Sequence, residues 1–291
     1  MTVRLVGDAA ILDSLGGPVA EEAVEGRLLD DGVVLDPEEG LNLNGTIRTG
    51  VRRDRVPTKF EPVLVAAVEA FGELPDERAE LHLYGSVATG MAQVRLSDVD
   101  LLAIGVPEGW ARDIGAALSG RFADLCRGVQ IGLANAEDFR GADDAEHGNR
   151  VFLHRYCVPL AGADAIRSVP AFPGDVRAAR GFNGDIGTSL NGWQSSADPK
   201  RVARKTLLAA AGLIRAHDGT WTTDRCTAAR RWAELDPGRA VDIARLLSWA
   251  DGRCIPSAAE LGAALGQDGI VVAVVERFAA DVGLWSDHAG A

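Results

Sequence analysis

Residues 79–105, AELHLYGSVATGMAQVRLSDVDLLAIG, contain the pattern on which the interpretation of the whole chain rests. An apolar run at 81–84 ends in the pair Gly85-Ser86, and small residues follow at 87–90. A short apolar run bounded by glycine is typical of a buried strand that ends in a tight turn. The first half of the stretch therefore predicts a strand that delivers Gly85 and Ser86 at its end.

Two carboxylates stand at the start of the second apolar run, which extends to residue 104. Because successive side chains of a strand point to opposite faces, Asp98 and Asp100 are expected to share one face. Mg²⁺ prefers carboxylate and phosphate oxygens, and a glycine such as Gly85 lets the backbone approach a phosphate closely. The pattern predicts a site for Mg²⁺ and a nucleoside triphosphate.

The composition is that of a globular protein. The chain has 291 residues, 47% hydrophobic and 25% charged, which is enough for one large domain or two ordinary ones. Lys and Arg number 30 against 42 Asp and Glu, for a net charge of −12. This balance argues against a nucleic-acid partner, which requires a basic face, and it permits a cationic small molecule.

Four widely spaced cysteines form no C-x-x-C pair, which excludes a disulfide framework and a zinc site. Reduced thiols and a cytoplasmic location are therefore expected. A basic segment followed by an apolar run is missing at the N-terminus, so no signal peptide is predicted. No apolar run approaches the roughly 18 residues that span a bilayer, and no membrane partner is expected.

Residues 1–57 form an N-terminal segment of uncertain role, which could extend the first domain, cover the nucleotide or mediate dimerisation. Short strands are predicted at 3–6 and 33–35, and the Asn-Gly pair within 41–47 predicts a hairpin or a turn at a strand end. The arginines at 48–55 make a local basic patch. We favour a solvated arm balanced by nearby acids over a phosphate contact.

The first domain is predicted to span residues 58–165. Apolar residues at helical spacing indicate helices at 57–74 and 110–118, and further strands are predicted at 129–133 and 151–158. The second domain, 166–291, includes a Pro- and Gly-containing linker at 170–174 and is predicted to be helical after it. Its helices are expected at 175–193, 199–217, 224–235, 237–249, 258–265 and 269–285.

The spacing of Gly85-Ser86, eleven residues at 87–97, and Asp98-Val99-Asp100 resembles the signature of the DNA polymerase β-like nucleotidyltransferase superfamily over residues 58–160. The helical second half is similar in general layout to the bundle of aminoglycoside nucleotidyltransferases. The resemblance implies an α+β fold, in which a nucleotidyltransferase domain with a mixed sheet flanked by helices precedes an all-α helical bundle. It also implies Mg²⁺, ATP or another NTP as substrate, and transfer of the NMP to a hydroxyl.

Site residues follow from these patterns and from the resemblance. Asp98 and Asp100 are the predicted metal ligands and catalytic residues, and a polar small-molecule acceptor is expected between the two domains of a monomer or homodimer. The predicted nucleotide-binding residues are Gly85, Ser86, Thr89, Arg95, Arg201 and Lys205.

One departure from the signature concerns the third carboxylate, which the superfamily usually places on the next strand. Gln130 stands at the matching position, and an amide is a poorer Mg²⁺ ligand and takes no proton. Glu137, Asp138 or Glu146 could substitute, a carboxylate of the helical half such as Asp185 could act as base, or the site could be inactive. We favour Asp185 as the third catalytic residue.

The leading hypothesis is a Mg²⁺-dependent transfer of AMP from ATP to a hydroxyl of a small polar acceptor such as an aminoglycoside, with a role in antibiotic resistance. The acidic chain would suit a cationic acceptor. The alternatives are a non-catalytic nucleotide-binding or regulatory protein with a degenerate site, and a nucleotidyltransferase that modifies a protein. The sequence leaves the acceptor and the choice of NTP open.

Overall fold

A computed structural model describes residues 4–6, 36–74, 78–162 and 171–285. These residues form two compact units. The first contains 4–6, 36–39 and the described parts of 47–172, and the second contains 40–46 and 173–285. The first unit is a mixed sheet flanked by helices and the second is helical, which confirms the predicted α+β fold class.

Five described strands form the large sheet of the first unit. In chain order, the described strands are β1 (Arg4–Val6), β2 (Gly40–Leu41), β3 (Ile47–Arg48), β4 (Glu80–Tyr84), β5 (Val99–Ile104), β6 (Val129–Ala134) and β7 (Cys157–Gly162). The strand order in the large sheet is β1-β6-β5-β4-β7. Only the β5–β6 pair is parallel among the described pairings of this sheet, so β5 lies between an antiparallel and a parallel neighbour.

The part of the first unit that the structure describes has four α-helices: α1 (Glu61–Gly72), α2 (Gly85–Thr89), α3 (Glu108–Arg121) and α4 (Asp144–Tyr156). They cover both faces of the sheet. Leu101 of β5 joins a core with Leu64 of α1 and Leu118 of α3, whereas Leu102 packs in a separate core with Leu153 of α4. Alternate residues of β5 therefore enter opposite cores, and this alternation directs the two aspartates at its start to one face.

The strand predicted at 151–158 is wrong for most of its length. Residues up to Tyr156 end helix α4, and β7 begins only at Cys157. Acidic residues lie in the first turn of α4 and basic residues in its last turn, an arrangement that the helix dipole favours. The buried residues of α4 include Val151 and Leu153, which are two apart, so the pattern of this short apolar run does not distinguish a helix from a strand.

The N-terminal segment agrees in part with its prediction. Strand β1 forms at Arg4–Val6, and the strand predicted at 33–35 lies outside the described residues. The predicted turn is confirmed: the Asn42 carbonyl accepts from the Gly45 N–H at 2.9 Å, and Gly45 has φ +76°. The Asn44 carboxamide oxygen accepts from the Thr46 N–H at 3.2 Å and fixes the turn.

The basic patch at 48–55 is balanced by acids, as favoured from the sequence. Arg52 pairs with Glu38 at 3.2 Å, and Arg55 also pairs with Glu38. Arg53 forms a two-pronged contact with Glu61 at the start of α1. These arginines are therefore held by carboxylates of their own unit.

The second unit consists of seven described helices, namely α5 (Val176–Asn183), α6 (Ile186–Trp193), α7 (Pro199–Asp218), α8 (Arg225–Leu235), α9 (Ala240–Ala250), α10 (Ala258–Leu265) and α11 (Ile270–Asp281). Helix α7 lies at the centre and contacts α5, α6, α8, α9 and α11. Aspartates cap three of the helices: the side chains of Asp175, Asp198 and Asp224 accept from backbone N–H groups in the first turns of α5, α7 and α8.

The single helix predicted at 175–193 is wrong, because the chain breaks between α5 and α6. The break occurs at Gly184, whose carbonyl accepts from the Trp285 N–H at 2.9 Å. The Trp285 indole donates to the Arg180 carbonyl at 2.8 Å. A Cβ on Gly184 would lie 2.1 Å from the indole ring, so the glycine makes room for this tryptophan. The contact depends on a residue 101 positions away in sequence (285 − 184), beyond the reach of a local pattern.

One described stretch, Ala258–Asp281, is long and apolar enough by length and composition to cross a membrane, with a mean hydropathy of 1.5. The chain divides it into α10 and α11 at residues 266–269. Val271, Val274 and Phe278 of α11 are fully buried. Such burial is typical of a core helix, which passes the same test of length and composition.

Candidate functional site

The Gly85-Ser86 turn lies directly against Asp100. Gly85 has φ +72°, a left-handed conformation that L side chains rarely adopt. A Cβ built on it would lie 2.5 Å from the Asp100 Oδ2 atom. The glycine therefore serves two needs at once, since it allows the turn and brings the backbone against the carboxylate.

Helix α2 begins with the turn residues Gly85 and Ser86 and continues through the small residues that follow them. It ends at Gly90, which has φ +80° and would place a Cβ 2.8 Å from the Arg55 carbonyl oxygen. The half-buried Ser86 accepts through its carbonyl from the Met91 N–H at 2.9 Å and from the Thr89 hydroxyl at 3.1 Å. The fold thus fixes the backbone of Ser86, whereas the buried Thr89 hydroxyl stabilises the helix end.

Strand register places four side chains in one row across the sheet. Tyr84 of β4 pairs with Cys157 on one side and with Asp100 on the other. Asp100 in turn pairs with Gln130 of β6. Register therefore confirms that Gln130 occupies the position beside Asp100 on the next strand.

The neighbours of Asp100 in this row are uncharged at neutral pH. Burial, reinforced by the negative charge of Asp100, raises the pKa of Tyr84 well above its ordinary value. Burial alone raises the pKa of Cys157 well above its ordinary value. The Tyr84 ring packs edge-on against Phe152 with ring centroids 5.2 Å apart, which fixes one wall beside the carboxylate.

Asp98 has a different set of neighbours. The Arg127 guanidinium donates from Nε to Asp98 Oδ1 at 3.0 Å and from Nη2 to Oδ2. The Gln130 amide also donates to Oδ2, at 3.5 Å. The fork-shaped contact raises the pKa of Arg127, mainly through the hydrogen bond to Asp98. Burial together with the Asp98 charge raises the pKa of the nearby Cys126 thiol.

The donor set suits one Mg²⁺ ion. Asp98 and Asp100 offer hard carboxylate oxygens on one face, and Mg²⁺ commonly takes one or two protein carboxylates besides phosphate oxygens and water. The space that a Cβ on Gly85 would fill lies beside Asp100. Within the described ranges, no group of three His, Cys, Asp or Glu residues could hold a metal ion. Two carboxylates and a bound triphosphate would therefore have to share the coordination.

Two of the substitutes considered for the third carboxylate, Glu137 and Asp138, follow β6 at the end of the strand away from Gln130. Because β5 and β6 run parallel from the Asp100–Gln130 pair to the Ile104–Ala134 pair, the chain leaves β6 after Ala134 at the strand end opposite to Gln130. Asp138 is there, where it accepts from the Asn135 N–H at 2.7 Å. Its neighbour Glu137 pairs with Arg140. Glu146 packs against Gly141, whose Cβ would lie 2.7 Å from its carboxyl carbon.

Arg95, a predicted nucleotide-binding residue, lies on the loop between α2 and β5 with φ +66°. Its side chain donates to the Asp124 carbonyl at 3.1 Å and to the Asp124 carboxylate at 3.3 Å. Its N–H donates to the Leu125 carbonyl at 2.8 Å. These contacts join the loop to the segment before β6, and the nucleotide role of Arg95 stays a prediction.

Three predicted site residues belong to the helical unit. Asp185 precedes α6 and pairs with Lys205 of α7, with 2.5 Å between Oδ1 and Nζ. Lys205 also donates to the Phe182 carbonyl at 3.3 Å. Arg201 is exposed in the first turn of α7. The structure thus brings Asp185 and Lys205 together, and the catalytic and phosphate-binding roles of the three stay predictions.

Sequence reasoning missed two residues beside the predicted metal ligands, Tyr84 and Arg127. Tyr84 immediately precedes Gly85, so strand alternation alone could have assigned it to the same face as Asp100 once pairing was assumed. Arg127 precedes β6, and its N–H donates to the Ser97 carbonyl at 3.0 Å. No local pattern signals its contact with Asp98, because two separate segments must meet.

Comparison with known proteins gives a fold likeness and no family. No protein family model matches the chain, and no curated protein matches it in sequence. Among solved structures, the chain is similar to a spectinomycin adenyltransferase from Enterococcus faecialis, solved with ATP and spectinomycin. The TM-score is 0.50 at 11% identity, over 75% of this chain and 98% of the other. The chain therefore shares the fold of this spectinomycin adenyltransferase.

Proposed function

We propose that this protein is a nucleotidyltransferase, which moves AMP from ATP to a hydroxyl of a small polar acceptor such as an aminoglycoside. The observation that carries the proposal is the contact of Gly85 with Asp100. A glycine in left-handed conformation, with no room for a Cβ, lies against a carboxylate that shares its strand face with Asp98. The fold likeness to an adenyltransferase solved with ATP supports this assignment.

Nucleotidyl transfer is an in-line displacement at phosphorus, so the protein must hold the triphosphate and align the acceptor hydroxyl. Asp98 and Asp100 would hold Mg²⁺, which when bound would neutralise negative charge on the phosphates. Gly85 lets backbone and phosphate come close, and Ser86 offers a hydroxyl and an N–H. Thr89, Arg95, Arg201 and Lys205 are the further nucleotide-binding residues of the proposal.

The acceptor hydroxyl must lose its proton during transfer, and Asp185 is our proposed base. Its charge is the reason: a carboxylate accepts a proton, whereas the Gln130 amide beside Asp100 does not. The net charge of −12 favours a cationic acceptor through long-range attraction. We propose a cytoplasmic protein, in which the four cysteines, all free among the described residues, stay reduced.

The test is product analysis. The purified protein is incubated with Mg²⁺ and each of the four NTPs against a panel of aminoglycosides and polyols, and products are identified by mass spectrometry. We expect one acceptor to gain the mass of an adenylyl group with release of pyrophosphate. The absence of any nucleotidylated product, together with no nucleotide binding by calorimetry, would contradict the proposal.

A second candidate is a non-catalytic nucleotide-binding protein, which Gln130 and the Arg127 contact favour. Because Gln130 is an amide, Asp98 and Asp100 are the two carboxylates expected to bind the metal, and the Arg127 guanidinium neutralises Asp98. In that case wild-type protein would bind ATP without turnover. The Gln130→Glu variant would then create or raise activity, because it supplies a third carboxylate beside Asp100. Turnover by the wild type would exclude this candidate.

A further inference from the structure

Asp98 forms an ion pair with Arg127 just before the start of β5, and the proposed reaction assigns no role to this arginine. Both Asp98 oxygens accept hydrogen bonds from one guanidinium, through its Nε and Nη2 atoms, in a two-pronged contact that suits an arginine and a carboxylate. The Gln130 amide makes a third contact at 3.5 Å. A divalent cation on this carboxylate would have to displace or adjoin the positive charge of Arg127.

The two partners differ in how far they are enclosed. The Asp98 side chain is 12% exposed, whereas 55% of the Arg127 side chain is exposed. A nearly buried carboxylate gains from a permanent counter-charge, and an exposed guanidinium leaves its partner at small cost when another anion is near. The triphosphate of a nucleotide is such an anion, and Arg recognises phosphate oxygens with the same fork.

We propose that Arg127 is a displaceable counter-ion of Asp98, which leaves the carboxylate when a nucleoside triphosphate and its divalent cation bind, and then contacts the triphosphate. The nucleotide half of this proposal, in which Arg127 contacts the triphosphate, rests on the proposed function, and the pairing with Asp98 does not. The exchange leaves both anions paired, because the cation replaces the guanidinium at Asp98 and the guanidinium contacts a phosphate. The metal therefore enters with the nucleotide rather than before it.

The experiment measures Mn²⁺ binding by electron paramagnetic resonance, without nucleotide, on the full chain. Compared with wild type, Arg127→Gln is expected to bind Mn²⁺ about tenfold more tightly, because Asp98 is no longer neutralised. Arg127→Lys, which keeps the charge and loses the fork, should fall between them. The matched control is Arg112→Gln, which removes an arginine of 64% exposure that pairs with Asp113 on α3 and should leave Mn²⁺ affinity unchanged.

A double variant shows whether the effect passes through Asp98. In an Asp98→Asn background, the Arg127→Gln change should no longer alter Mn²⁺ affinity, because the carboxylate for which guanidinium and metal compete is gone. Equal Mn²⁺ affinity of wild type and Arg127→Gln would overturn the proposal, and so would a gain that persists in the Asp98→Asn background. Thermal melts by circular dichroism establish that each variant is folded, and Arg127→Lys provides the measurement if Arg127→Gln is not.

A calorimetric titration with α,β-methylene-ATP and Mg²⁺ tests the nucleotide half. Arg127→Gln should bind this analogue about fivefold to tenfold more weakly than wild type, because a phosphate contact is lost. Unchanged analogue affinity would overturn the transfer of Arg127 to the triphosphate. If even wild type fails to bind the analogue while Arg127→Gln gains Mn²⁺ affinity, the proposed function fails and the counter-ion assignment stands.

Discussion

Two nearly buried carboxylates, Asp98 in the sheet unit and Asp185 in the helical unit, each pair with a basic side chain, and the two pairs are built differently. Their side chains are 12% and 11% exposed. The partner of Asp98 is Arg127, at 55% exposure, whereas the partner of Asp185 is Lys205, at 22%. Lys205 is further held by the Phe182 carbonyl.

The difference in exposure between the two basic side chains indicates which carboxylate can exchange its counter-ion. Arg127 is anchored through its backbone, and its side chain faces solvent, so it can release Asp98 without uncovering buried surface. Lys205 projects from the central helix α7, and its side chain is enclosed. Separating it from Asp185 would leave two desolvated charges without their partners. Substitution of Arg127 should therefore cost little stability, whereas substitutions at the Asp185–Lys205 pair should lower the stability of the helical unit.

The largest effect is expected from Asp100→Ala. If Asp100 holds the metal and the nucleotide, turnover should fall about 1,000-fold, which corresponds to about 4 kcal/mol of transition-state stabilisation. The rate of nucleotidyl transfer is measured at saturating Mg²⁺, with a thermal melt as the folding control. Asp98→Ala should show the same direction of change. Undiminished turnover in either variant would show that the metal ligands lie elsewhere.

Gly85→Ala separates backbone conformation from crowding against Asp100. The left-handed φ alone costs about 1 kcal/mol, and the overlap with the carboxylate adds about 1–3 kcal/mol. The matched control is Gly45→Ala, since Gly45 has a similar φ of +76° and no atom within 4 Å of a built Cβ. Free energies of unfolding from urea titration should therefore fall more for Gly85→Ala. Equal losses would mean that the Asp100 contact is not tight.

Lys205→Met tests the enclosed pair. Removing the ammonium leaves the Asp185 carboxylate desolvated without its counter-charge, and we expect a loss of about 2 kcal/mol after allowance for partial exposure. Asp185→Asn leaves a partly exposed lysine and should cost about 1 kcal/mol. Urea titration compares the two variants, and their double variant gives the coupling. A larger loss in Asp185→Asn than in Lys205→Met would reverse the interpretation of the pair.

The smallest effect is a pH dependence due to His154 of α4. Burial, followed by the nearby His82, lowers its pKa below the ordinary 6.5, so the unfolded chain takes up the proton first as pH falls. The stability that neutral His154 contributes is present above pH 6.5 and is lost below it. Melting temperatures from pH 7.5 to 5 should therefore fall less steeply in His154→Gln. Parallel curves for the two proteins would contradict this.

Short-range physics made part of this molecule predictable. Strand alternation placed Asp98 and Asp100 on one face, because it depends only on neighbouring residues. The need for a tight turn singles out Gly85 in the same way. Each of these features depends on a few consecutive residues, so it can be predicted without knowledge of the tertiary contacts.

The remainder depends on contacts between distant segments. Trp285 splits the helix predicted at 175–193, and Lys205 reaches Asp185 only after two helices have packed. The contact of Arg127 with Asp98 likewise requires that β5 and β6 lie side by side. The helix that ends at Tyr156 was mistaken for a strand because a short apolar run fits both periods.

The central position of α7 has a consequence for how the helical unit opens. Ten residues of this helix are buried, and it contacts five other helices of its unit. Its backbone amides should therefore exchange with deuterium most slowly in the helical unit, at a rate set by opening of the unit as a whole rather than by local fraying. Lys205 is part of this slowest-exchanging segment. Its backbone should therefore keep one position for as long as the unit stays folded.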